Sequence, residues 1–392
     1  MANILLVSHW TGGDVLPFMK MGAVLKKANH NVTIFTHCIY ESIAKEHDLN
    51  FVPLDTYKEY NDMVNSLELL NDPIRNLEGT LEFNRRFHNY EKIYAEHSKI
   101  VQHINSENTV IIFRHRSSIS GLLAAETSHV PSISVFLAPN YCDHLKLHDE
   151  IMGQFMIEEI NKVRSKFDLH NISCWSEWMC SSTLVVGLWP EWFAEKNENW
   201  PNSLIPIGFC PNNELKNAIS SDLISELLVD KPVLISGGTS KLIHPDFYTL
   251  AQEACYMLGQ KAILVTPHDD LLPKVIRPGV KVYNELPLKE IMPYVKCIIH
   301  HGGIGTMSEA IYAGTPQLIL PCYVDRLDNA QRISKYNISE YLPLAKWSVN
   351  NVVQKLLKIV SESYKCNCTS FSKEVNNEKF EEKLNSVVSS LF

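Results

Sequence analysis

Residues 297–332 read CIIHHGGIGTMSEAIYAGTPQLILPCYVDRLDNAQR, and the rest of the chain is interpreted outward from them. The apolar run at 297–299 is too short for a helix and is typical of a strand buried in a parallel sheet. A glycine-rich turn follows, apolar residues then recur at helical spacing, and the Gly-Thr-Pro at 314–316 ends the helix. A second buried strand is predicted at 317–320. Strand, glycine-rich turn and helix in this order form an anion site, because free backbone N–H groups and the positive helix end face the turn.

Polar residues around this turn favour a functional site. His300 and His301 precede the glycines, Glu309 lies one turn inside the helix, and an acidic loop with Asp325 and Asp328 follows the second strand. The carboxyl ends of parallel strands meet at one edge of a sheet, where the ligands of open α/β folds bind. A glycine-rich turn by itself can also serve packing alone, and this is the alternative for the turn.

The same residues carry a family resemblance. They are similar to the donor-binding signature of family 1 nucleotide-sugar-dependent glycosyltransferases, which have the two-domain GT-B fold. They most resemble the branch containing the rhamnosyltransferase B chain of rhamnolipid synthesis, with its GGIGxMS turn, LPC strand end and DxxDNAxR loop, here at 302–308, 320–322 and 325–332. A second block between residues 178 and 209 also resembles that branch. The resemblance implies an α/β chain with two Rossmann-like domains facing across a cleft.

Length and composition describe an ordinary globular protein. The chain has 392 residues, of which 45% are hydrophobic and 20% charged, and this length predicts two domains. The formal net charge of −8 argues against nucleic acid as a partner, and the basic cluster Arg114-His115-Arg116 is too small to change that. We expect no signal peptide, no membrane-spanning helix and ten reduced cysteines. The predicted location is cytoplasmic, with peripheral contact to the inner face of the membrane as an option and the oligomeric state open.

The order of predicted elements divides the chain into two halves. Strands are predicted at 4–7, 32–36, 52–54, 110–113, 132–136 and 184–188 in the first half, and at 232–235, 262–265, 280–283, 297–299 and 317–320 in the second. In family terms, an acceptor-binding domain spans 1–210, a linker 211–221 and a nucleotide-sugar-binding domain 222–372, and a C-terminal helix at 373–392 crosses back to the first domain. The aromatic, helical segments between residues 57 and 166 would shape the acceptor pocket.

The resemblance assigns the nucleotide-sugar to two turns of the second domain. Their N–H and hydroxyl groups would hold the diphosphate, with the helix end behind them. The residues that would supply these donors are Gly238, Thr239 and Ser240 in one turn, and His301, Gly303, Gly305 and Thr306 in the other.

Which histidine contacts phosphate stays open between two neighbours. His301 matches the family's phosphate histidine when Glu309 is aligned as the ribose-binding acid. The rhamnosyltransferase branch has its histidine at the position of His300. The plain alternative for His300 is a buried histidine with its hydrogen bonds satisfied.

The acidic loop would bind the hydroxyl groups of the sugar. In this loop the sequence departs from the family pattern. Asp325 suits the sugar hydroxyls, but the family usually has Asp-Gln where this chain has Asp325-Arg326. Arginine donates only and carries a fixed charge. Arg326 could pair with Asp325 or Asp328, contact a phosphate, or read an acidic sugar.

Asp14 is the candidate general base. It ends a glycine-rich turn after the first strand, in a GDVLPF motif similar to the GDVxPF motif of related enzymes, and a carboxylate there could take the proton of an acceptor hydroxyl. The alternative is that Asp14 only caps the helix that follows. His9, in the same turn, could assist or replace it.

The predicted function is that of an inverting glycosyltransferase, which moves a hexose or deoxyhexose from a UDP- or dTDP-sugar to a hydroxyl of an apolar small molecule or lipid. The nucleotide-sugar is a co-substrate, and no cofactor or metal is expected, although His144 and His148 have the i,i+4 spacing of zinc ligands. The alternatives are a non-catalytic nucleotide-sugar-binding partner of another transferase and a nucleotide-sugar epimerase on a similar scaffold.

Overall fold

The structure, a computed structural model, describes residues 1–70, 76–105, 108–210, 220–239, 241–322, 325–376 and 379–392. Contacts divide the chain into a first unit, Met1–Cys210 with Lys379–Phe392, and a second unit, Pro211–Glu378. Each unit contains one parallel sheet with helices around it. The predicted α/β architecture of two Rossmann-like domains is confirmed.

The first unit is built on a seven-stranded parallel sheet. Its strands are β1 Asn3–Val7, β2 Asn31–Thr36, β3 Asn50–Pro53, β4 Thr109–Arg114, β5 Ser132–Phe136, β6 Leu184–Gly187 and β7 Leu204–Pro206. Their order is β3-β2-β1-β4-β5-β6-β7, and every neighbouring pair is parallel. β1 and β4 lie in the middle, so their carboxyl ends carry the turns at the centre of one sheet edge.

Alternation along β1 shows why these short apolar runs form strands. Ile4 and Leu6 belong to one apolar cluster of the first unit, whereas Leu5 and Val7 belong to another. All four side chains are fully buried. Successive side chains of a strand point to opposite faces, so both faces of this sheet are covered, as parallel sheets require.

The helices of the first unit cover these two faces. They are α1 Gly12–Lys27, α2 Glu41–Glu46, α3 Tyr57–Asn65, α4 Leu77–Phe87, α5 Tyr90–Val101, α6 Ile119–Ser128, α7 Asn140–Asp143, α8 Leu145–His148, α9 Gln154–Arg164 and α10 Trp175–Met179. A π-helical turn, Asp149–Gly153, joins α8 to α9.

The second unit repeats the plan with six parallel strands. They are β8 Val233–Ser236, β9 Ala262–Val265, β10 Val280–Tyr283, β11 Cys297–His300, β12 Gln317–Ile319 and β13 Ser339–Tyr341, in the order β10-β9-β8-β11-β12-β13. β8 and β11 are direct neighbours, with Ser236 opposite His300. The turns that follow these two strands therefore lie side by side.

The helices of the second unit are α11 Ser221–Asp230, α12 Phe247–Met257, α13 Leu288–Ile291, α14 Ile304–Tyr312, α15 Arg326–Ser334, α16 Val349–Ile359 and α17 Glu362–Val375. Most of the predicted linker, residues 211–219, lies outside the described residues. α17 continues to Val375 within the second unit, so it includes the first three residues of the segment 373–392 predicted for the C-terminal helix.

The last helix, α18 Phe380–Ser389, packs on the first unit. Its buried residues, Phe380, Leu384, Val387 and Val388, follow the spacing of one apolar helix face and join the same cluster as Ile4. Across the described ranges, no helix is both long enough and apolar enough to cross a membrane.

Candidate functional site

In the second unit, the turns after β8 and β11 meet around the side chain of His301. A β-carbon on Gly238 would lie 2.8 Å from Cε1 of the imidazole, and one on Gly303 would lie 2.4 Å from Nε2. Gly238 also has a φ of +74°, which other residues adopt with strain. Any side chain at either position would collide with the imidazole ring. The close approach of the two turns to His301 therefore explains why both positions are glycine.

His301 is buried, and one of its nitrogens is poorly satisfied. Nδ1 is inaccessible to solvent and has no well-formed hydrogen bond to any residue in the described ranges. Burial, and then the positive charge of Arg326, hold the pKa of His301 well below its usual value, although the Ser236 backbone slightly opposes the shift. The ring is therefore neutral and retains one N–H to donate.

His300 has a different environment. Its Nε2 lies 2.9 Å from Oε1 of Gln317, and its Nδ1 accepts the N–H of Gly302 at 3.2 Å. The side chain is fully buried, and burial lowers its pKa to about 4. Both ring nitrogens are occupied, which is the arrangement that the sequence analysis kept as the plain alternative for this residue.

Helix α14 begins at the same turn and contributes free N–H groups. Gly303 is its N-cap, and the first hydrogen bond within the helix runs from the N–H of Met307 to the carbonyl of Gly303. The three preceding N–H groups, of residues 304–306, are the orphan donors of a helix start. A β-carbon on Gly305 would meet nothing within 4 Å, so that position faces open space. The Glu309 side chain lies further along α14 and is buried.

The loop after β12 is fixed to this turn by backbone contacts. Gly302 has a φ of +96°, and a β-carbon there would lie 2.9 Å from the carbonyl oxygen of Arg326. Asn329 donates to the carbonyl of Gly302 at 3.1 Å and to Oδ2 of Asp325 at 2.8 Å. Asn329 thus joins Asp325 to the glycine-rich turn.

Arg326 is held by carbonyl oxygens and a sulfur. Its Nη1 donates to the carbonyl of Leu242 at 2.5 Å and to the carbonyl and Sγ of Cys322 at 3.2 and 3.5 Å. Asp328 instead pairs with Arg332 at 2.6 Å, so the considered pairing of Asp328 with Arg326 is not formed. Arg326 nevertheless adds positive charge beside His301.

Of the other two residues assigned to the β8 turn, the structure describes Thr239. Thr239 is exposed, and its carbonyl accepts a hydrogen bond from Nε2 of His268 at 3.0 Å. Ser240 lies outside the described residues.

In the first unit, Asp14 is both a helix cap and one half of an ion pair. Its Oδ2 accepts from the N–H and hydroxyl of Thr11, at 3.3 and 3.1 Å, in a capping box at the start of α1. Its Oδ1 accepts from Nε of Arg114 at 2.8 Å and lies 2.7 Å from Nη2 of the same ion pair. Asp14 therefore caps α1, as the alternative predicted. Both acceptor sites of Oδ2 are used by Thr11, and Oδ1 accepts one hydrogen bond, from Nε of Arg114.

His9 lies at the carboxyl end of the same strand, β1, and is buried. Its Nε2 lies 3.0 Å from Oε1 of Glu96, and its Nδ1 lies 2.9 Å from Oγ of Ser118. Burial opposes ionisation of Glu96, but the charge and hydrogen bond of His9, with a bond from Ser120, lower the pKa of Glu96. His9 and Glu96 form a histidine–carboxylate pair with both ring nitrogens engaged.

Sequence reasoning passed over the partners of these residues. Arg114 was noted only as part of a basic cluster, and Glu96, Ser118 and Asn329 were given no role. The partners of Asp14 and His9 are 87 to 109 positions away in the chain. The available signal was that Arg114 ends β4, the neighbour of β1, so their carboxyl ends must be adjacent.

Two models of known protein families match segments of the chain. Residues 4–145 match the N-terminal domain of glycosyltransferase family 28, and residues 261–387 match the C-terminal domain of the erythromycin biosynthesis protein CIII-like family. These matches confirm the resemblance to family 1-type glycosyltransferases. The rhamnolipid rhamnosyltransferase branch stays a prediction.

Individual relatives are distant. The chain is 24% identical over 201 residues to the aclacinomycin-T 2-deoxy-L-fucose transferase of Streptomyces galilaeus, covering 49% of this chain and 45% of that protein. The chain spans less than half the length of the curated relatives it matches.

Solved structures show the same fold over the whole chain. The kitacinnamycin glycotransferase superposes with a TM-score of 0.76 at 15% identity, covering 100% of this chain and 99% of the other. The glycosyltransferase SsfS6 of Streptomyces sp. SF2575, complexed with thymidine diphosphate, superposes with a TM-score of 0.69 at 17% identity, covering 99% of both chains.

Proposed function

We propose that this chain, a glycosyltransferase by its family domains and its GT-B fold, moves a hexose or deoxyhexose from a dTDP- or UDP-sugar to a hydroxyl group of an apolar small molecule or lipid. The reaction inverts the configuration at the anomeric carbon. One observation carries the proposal: the neutral ring of His301 is enclosed by two glycine turns, beside the N–H groups at the start of α14. Hydrogen-bond donors gathered at the start of a helix form a site for a phosphate group.

The second unit would bind the diphosphate of the donor. His301 would donate one hydrogen bond, and the N–H groups at the start of α14, with the Thr306 hydroxyl, would donate others. Arg326 would add positive charge through its position near His301. His300 would keep the β11 turn in shape through Gln317 rather than contact phosphate.

The remaining donor contacts follow the family pattern. Glu309 would accept from the ribose hydroxyls and Asp325 from those of the sugar, with Asn329 as the positioning residue for Asp325. A relative named as a 2-deoxy-L-fucose transferase and a structural neighbour complexed with thymidine diphosphate support a dTDP-deoxysugar as donor.

The chemistry is one displacement. The acceptor oxygen bonds to the anomeric carbon as the bond from that carbon to the diphosphate oxygen breaks. The acceptor proton passes to the base, and the nucleoside diphosphate leaves with the electron pair. Donors that contact the leaving oxygens stabilise charge that develops in the transition state, so their removal should lower kcat.

Asp14 is a better candidate than His9 for the group that takes the proton. Its Oδ1 accepts one hydrogen bond, from Nε of Arg114, so one acceptor site of that oxygen is left beside the ion pair. His9 has both nitrogens engaged, by Glu96 and Ser118, so a proton could reach it only after one of these bonds opens.

The test is a transfer assay that pairs dTDP-L-rhamnose, dTDP-glucose and UDP-glucose with a panel of apolar hydroxyl compounds, read by mass spectrometry. We expect transfer from at least one donor, and we expect Asp14→Asn to lower kcat about 10²- to 10⁴-fold, the usual contribution of a general base. Asn can still cap α1, but it leaves the buried Arg114 without its carboxylate, so the melting temperature should fall while the dTDP affinity stays nearly unchanged. The rates are therefore compared well below the melting temperature of the variant. Asp48→Asn, at an exposed surface pair, is the matched control.

Two results would overturn the proposal. Donor binding without transfer or hydrolysis across the whole panel would identify a nucleotide-sugar-binding partner. A new sugar still attached to its nucleotide, formed without an acceptor, would identify an epimerase.

A further inference from the structure

Three residues at the carboxyl edge of the first sheet form a chain of hydrogen bonds. Asp55, His37 and Trp10 follow β3, β2 and β1, which are neighbouring strands. Nδ1 of His37 lies 2.6 Å from Oδ2 of Asp55, and Nε2 of His37 accepts the N–H of Trp10 at 2.6 Å. The side chains of His37 and Asp55 are nearly buried, with 8% and 11% of their surface exposed. This buried pair therefore holds the backbone of the turn between β1 and α1.

The hydrogen bonds define which nitrogen of His37 carries the proton. Because Nε2 accepts from Trp10, the ring proton is on Nδ1 and is donated to Asp55. The other oxygen of Asp55 accepts the N–H of Cys38 at 2.9 Å. Burial opposes ionisation of Asp55, but the hydrogen bond and charge of His37, with the bonds from Cys38, lower the pKa of this carboxyl group. An ionised Asp55 can only accept, so it selects the tautomer of His37 that leaves Nε2 available to Trp10.

The turn held by His37 is strained. Trp10 has a φ of +86°, a value that a bulky residue rarely adopts, and such strain persists only where the surroundings hold it. The backbone N–H of Trp10 is held by His37, and its indole ring lies 5.1 Å from the guanidinium carbon of Arg114. The residues that follow include Thr11 and Asp14, which form the capping box of α1. A change of conformation at Trp10 would therefore move the start of α1 and the carboxylate of Asp14.

The titratable side chains next to His37 in the described ranges, or one ring further away, are Asp55, Cys38, Tyr60, Tyr40 and His9. The ring centroids of Tyr60 and His9 lie 5.1 and 5.7 Å from that of His37. Burial, ahead of smaller effects, raises the pKa of Cys38 to about 11 and also raises the pKa values of both tyrosines, so these three groups are neutral between pH 5 and 8. His9 is engaged by Glu96. Asp55 is thus the charged group in direct contact with His37.

We propose that His37 is a positioning residue, and that its neutral imidazole, oriented by Asp55, holds the strained turn that carries Trp10 and Asp14. The inference rests on the proposed transferase function, in which the first unit binds the acceptor and Asp14 takes its proton. Protonation of His37 releases the turn, because a proton on Nε2 leaves the N–H groups of His37 and Trp10 facing each other over 2.6 Å. Histidines gain a proton between about pH 8 and pH 5. Transfer to the acceptor should therefore weaken on the acid side of neutrality, whereas donor binding, which the second unit provides, should not.

NMR tests the hydrogen bond without any substrate. With ¹⁵N-labelled tryptophan the full chain gives backbone amide signals from seven residues, and Trp10→Phe identifies the signal of Trp10. We expect this signal at low field at pH 8, as for a short hydrogen bond, and we expect it to move toward the range of unbonded amides as the pH falls to 5. His37→Gln should keep the signal at low field throughout, because its amide can accept from Trp10, can donate to Asp55 and does not titrate. His170→Gln, at an exposed histidine of the first unit, should behave like the wild type.

Asp55→Asn tests the selection of the tautomer. The oxygen of the new amide should keep the bond from the N–H of Cys38, so its NH₂ group faces Nδ1 of His37 and the ring proton moves to Nε2. The Trp10 signal should then lose its low-field position even at pH 8, although the side chain at position 55 has the same size. An unchanged Trp10 signal in this variant would contradict the selection of the tautomer by Asp55.

The transfer assay connects the hydrogen bond with the reaction. With the acceptor found in that assay, His37→Leu should lower kcat/KM for the acceptor about tenfold to a hundredfold, as expected when a reacting group is displaced. The affinity for dTDP should not change. His37→Gln should keep the wild-type kcat/KM at pH 8 and should decline less than the wild type toward pH 5. If His37→Leu does not fold, the pH profiles of the wild type and His37→Gln provide the comparison.

A Trp10 signal that does not move with pH in the wild type, or that moves equally in His37→Gln, would overturn the proposal. A wild-type kcat/KM in a folded His37→Leu that has lost the bond would also overturn it, because the bond would then serve the fold alone. Absence of transfer from every donor is a different failure. It would remove the proposed function, and the amide titration would still decide whether His37 holds the turn.

Discussion

His300 and His301 are neighbours in sequence, yet only one of them has a hydrogen-bond group to spare. His300 is satisfied by Gln317 and by the backbone of Gly302, while Nδ1 of His301 is buried without a well-formed bond in the described ranges. A motif comparison leaves the two equivalent. Their hydrogen bonds distinguish them, because a residue that already satisfies its neighbours has nothing to offer a ligand.

His301→Ala should weaken the binding of dTDP about tenfold to a hundredfold, the usual value of one hydrogen bond to a charged group. The measurement is a thermal shift at a fixed dTDP concentration, where ligand at a hundred times its dissociation constant stabilises the wild-type chain by about 2.7 kcal/mol. His170→Ala removes an exposed imidazole from the first unit and should bind dTDP like the wild type. An unchanged shift in His301→Ala would exclude this residue from the phosphate site.

At the residue scale, the sequence predicted which residues belong to the candidate site better than it predicted their hydrogen-bond partners. The glycine turn, both histidines and Asp14 could all be named from the motif. The partner of His300 is 17 positions away and that of Asp14 is 100 positions away, so neither pair has a local signal. The role of Asp14 as a helix cap was predictable, because Thr11 precedes it at capping-box spacing.

At the scale of elements, length and position in the sheet together decided what could be predicted. Every predicted strand in the two sheets is present. The sequence analysis missed β7 and β13, which have three residues each and lie at the edges of their sheets. Edge strands bury less surface, so their composition carries a weaker pattern.

Ion pairs and a hydrogen bond connect the edge strand β13 to the helices α16 and α17. Glu340 accepts from Lys355 and Lys358 of α16 and from the hydroxyl of Tyr364, which is 2.7 Å away on α17. Burial alone would raise the pKa of Glu340, but the bonds from the two lysines and the tyrosine lower it to about 2. One carboxylate thus links β13 to two helices.

Glu340→Gln should destabilise the second unit by roughly 2 kcal/mol at pH 7, within the range of a pKa shift of this size. Because the folded pKa lies below the unfolded one, the contribution is complete above about pH 4.5 and is lost as the pH falls toward 2. The difference in urea midpoint between variant and wild type should therefore narrow from pH 7 to pH 3.5. For Glu78→Gln, at an exposed position, the difference in urea midpoint should not depend on pH. An equal difference for Glu340→Gln at pH 7 and pH 3.5 would contradict the stabilising role of the Glu340 carboxylate.

At the scale of the whole molecule, the chain builds its first unit from both ends of the sequence. The second unit lies between β7 and α18 in the chain, yet α18 shares a core with β1 and α1. The terminal helix and its place on the first unit were both predicted from the family resemblance, since nothing in residues 379–392 identifies the surface they cover.

Ending the chain at Asn376 removes α18 and should destabilise the first unit while leaving the second intact. Four apolar side chains of α18 are buried against the first unit: Phe380, Leu384, Val387 and Val388. Burying each contributes about 1.5 to 3 kcal/mol to the free energy of unfolding, and their sum is an upper estimate comparable to the whole stability of a domain. Hydrogen exchange should rise across β1 and α1 and stay low across β8 and β11, and dTDP should bind with wild-type affinity. Deletion of the exposed Phe392 alone is the control and should change neither quantity. Unchanged hydrogen exchange in β1 would show that α18 does not stabilise the core of the first unit. Loss of dTDP binding would show that the donor site depends on the first unit.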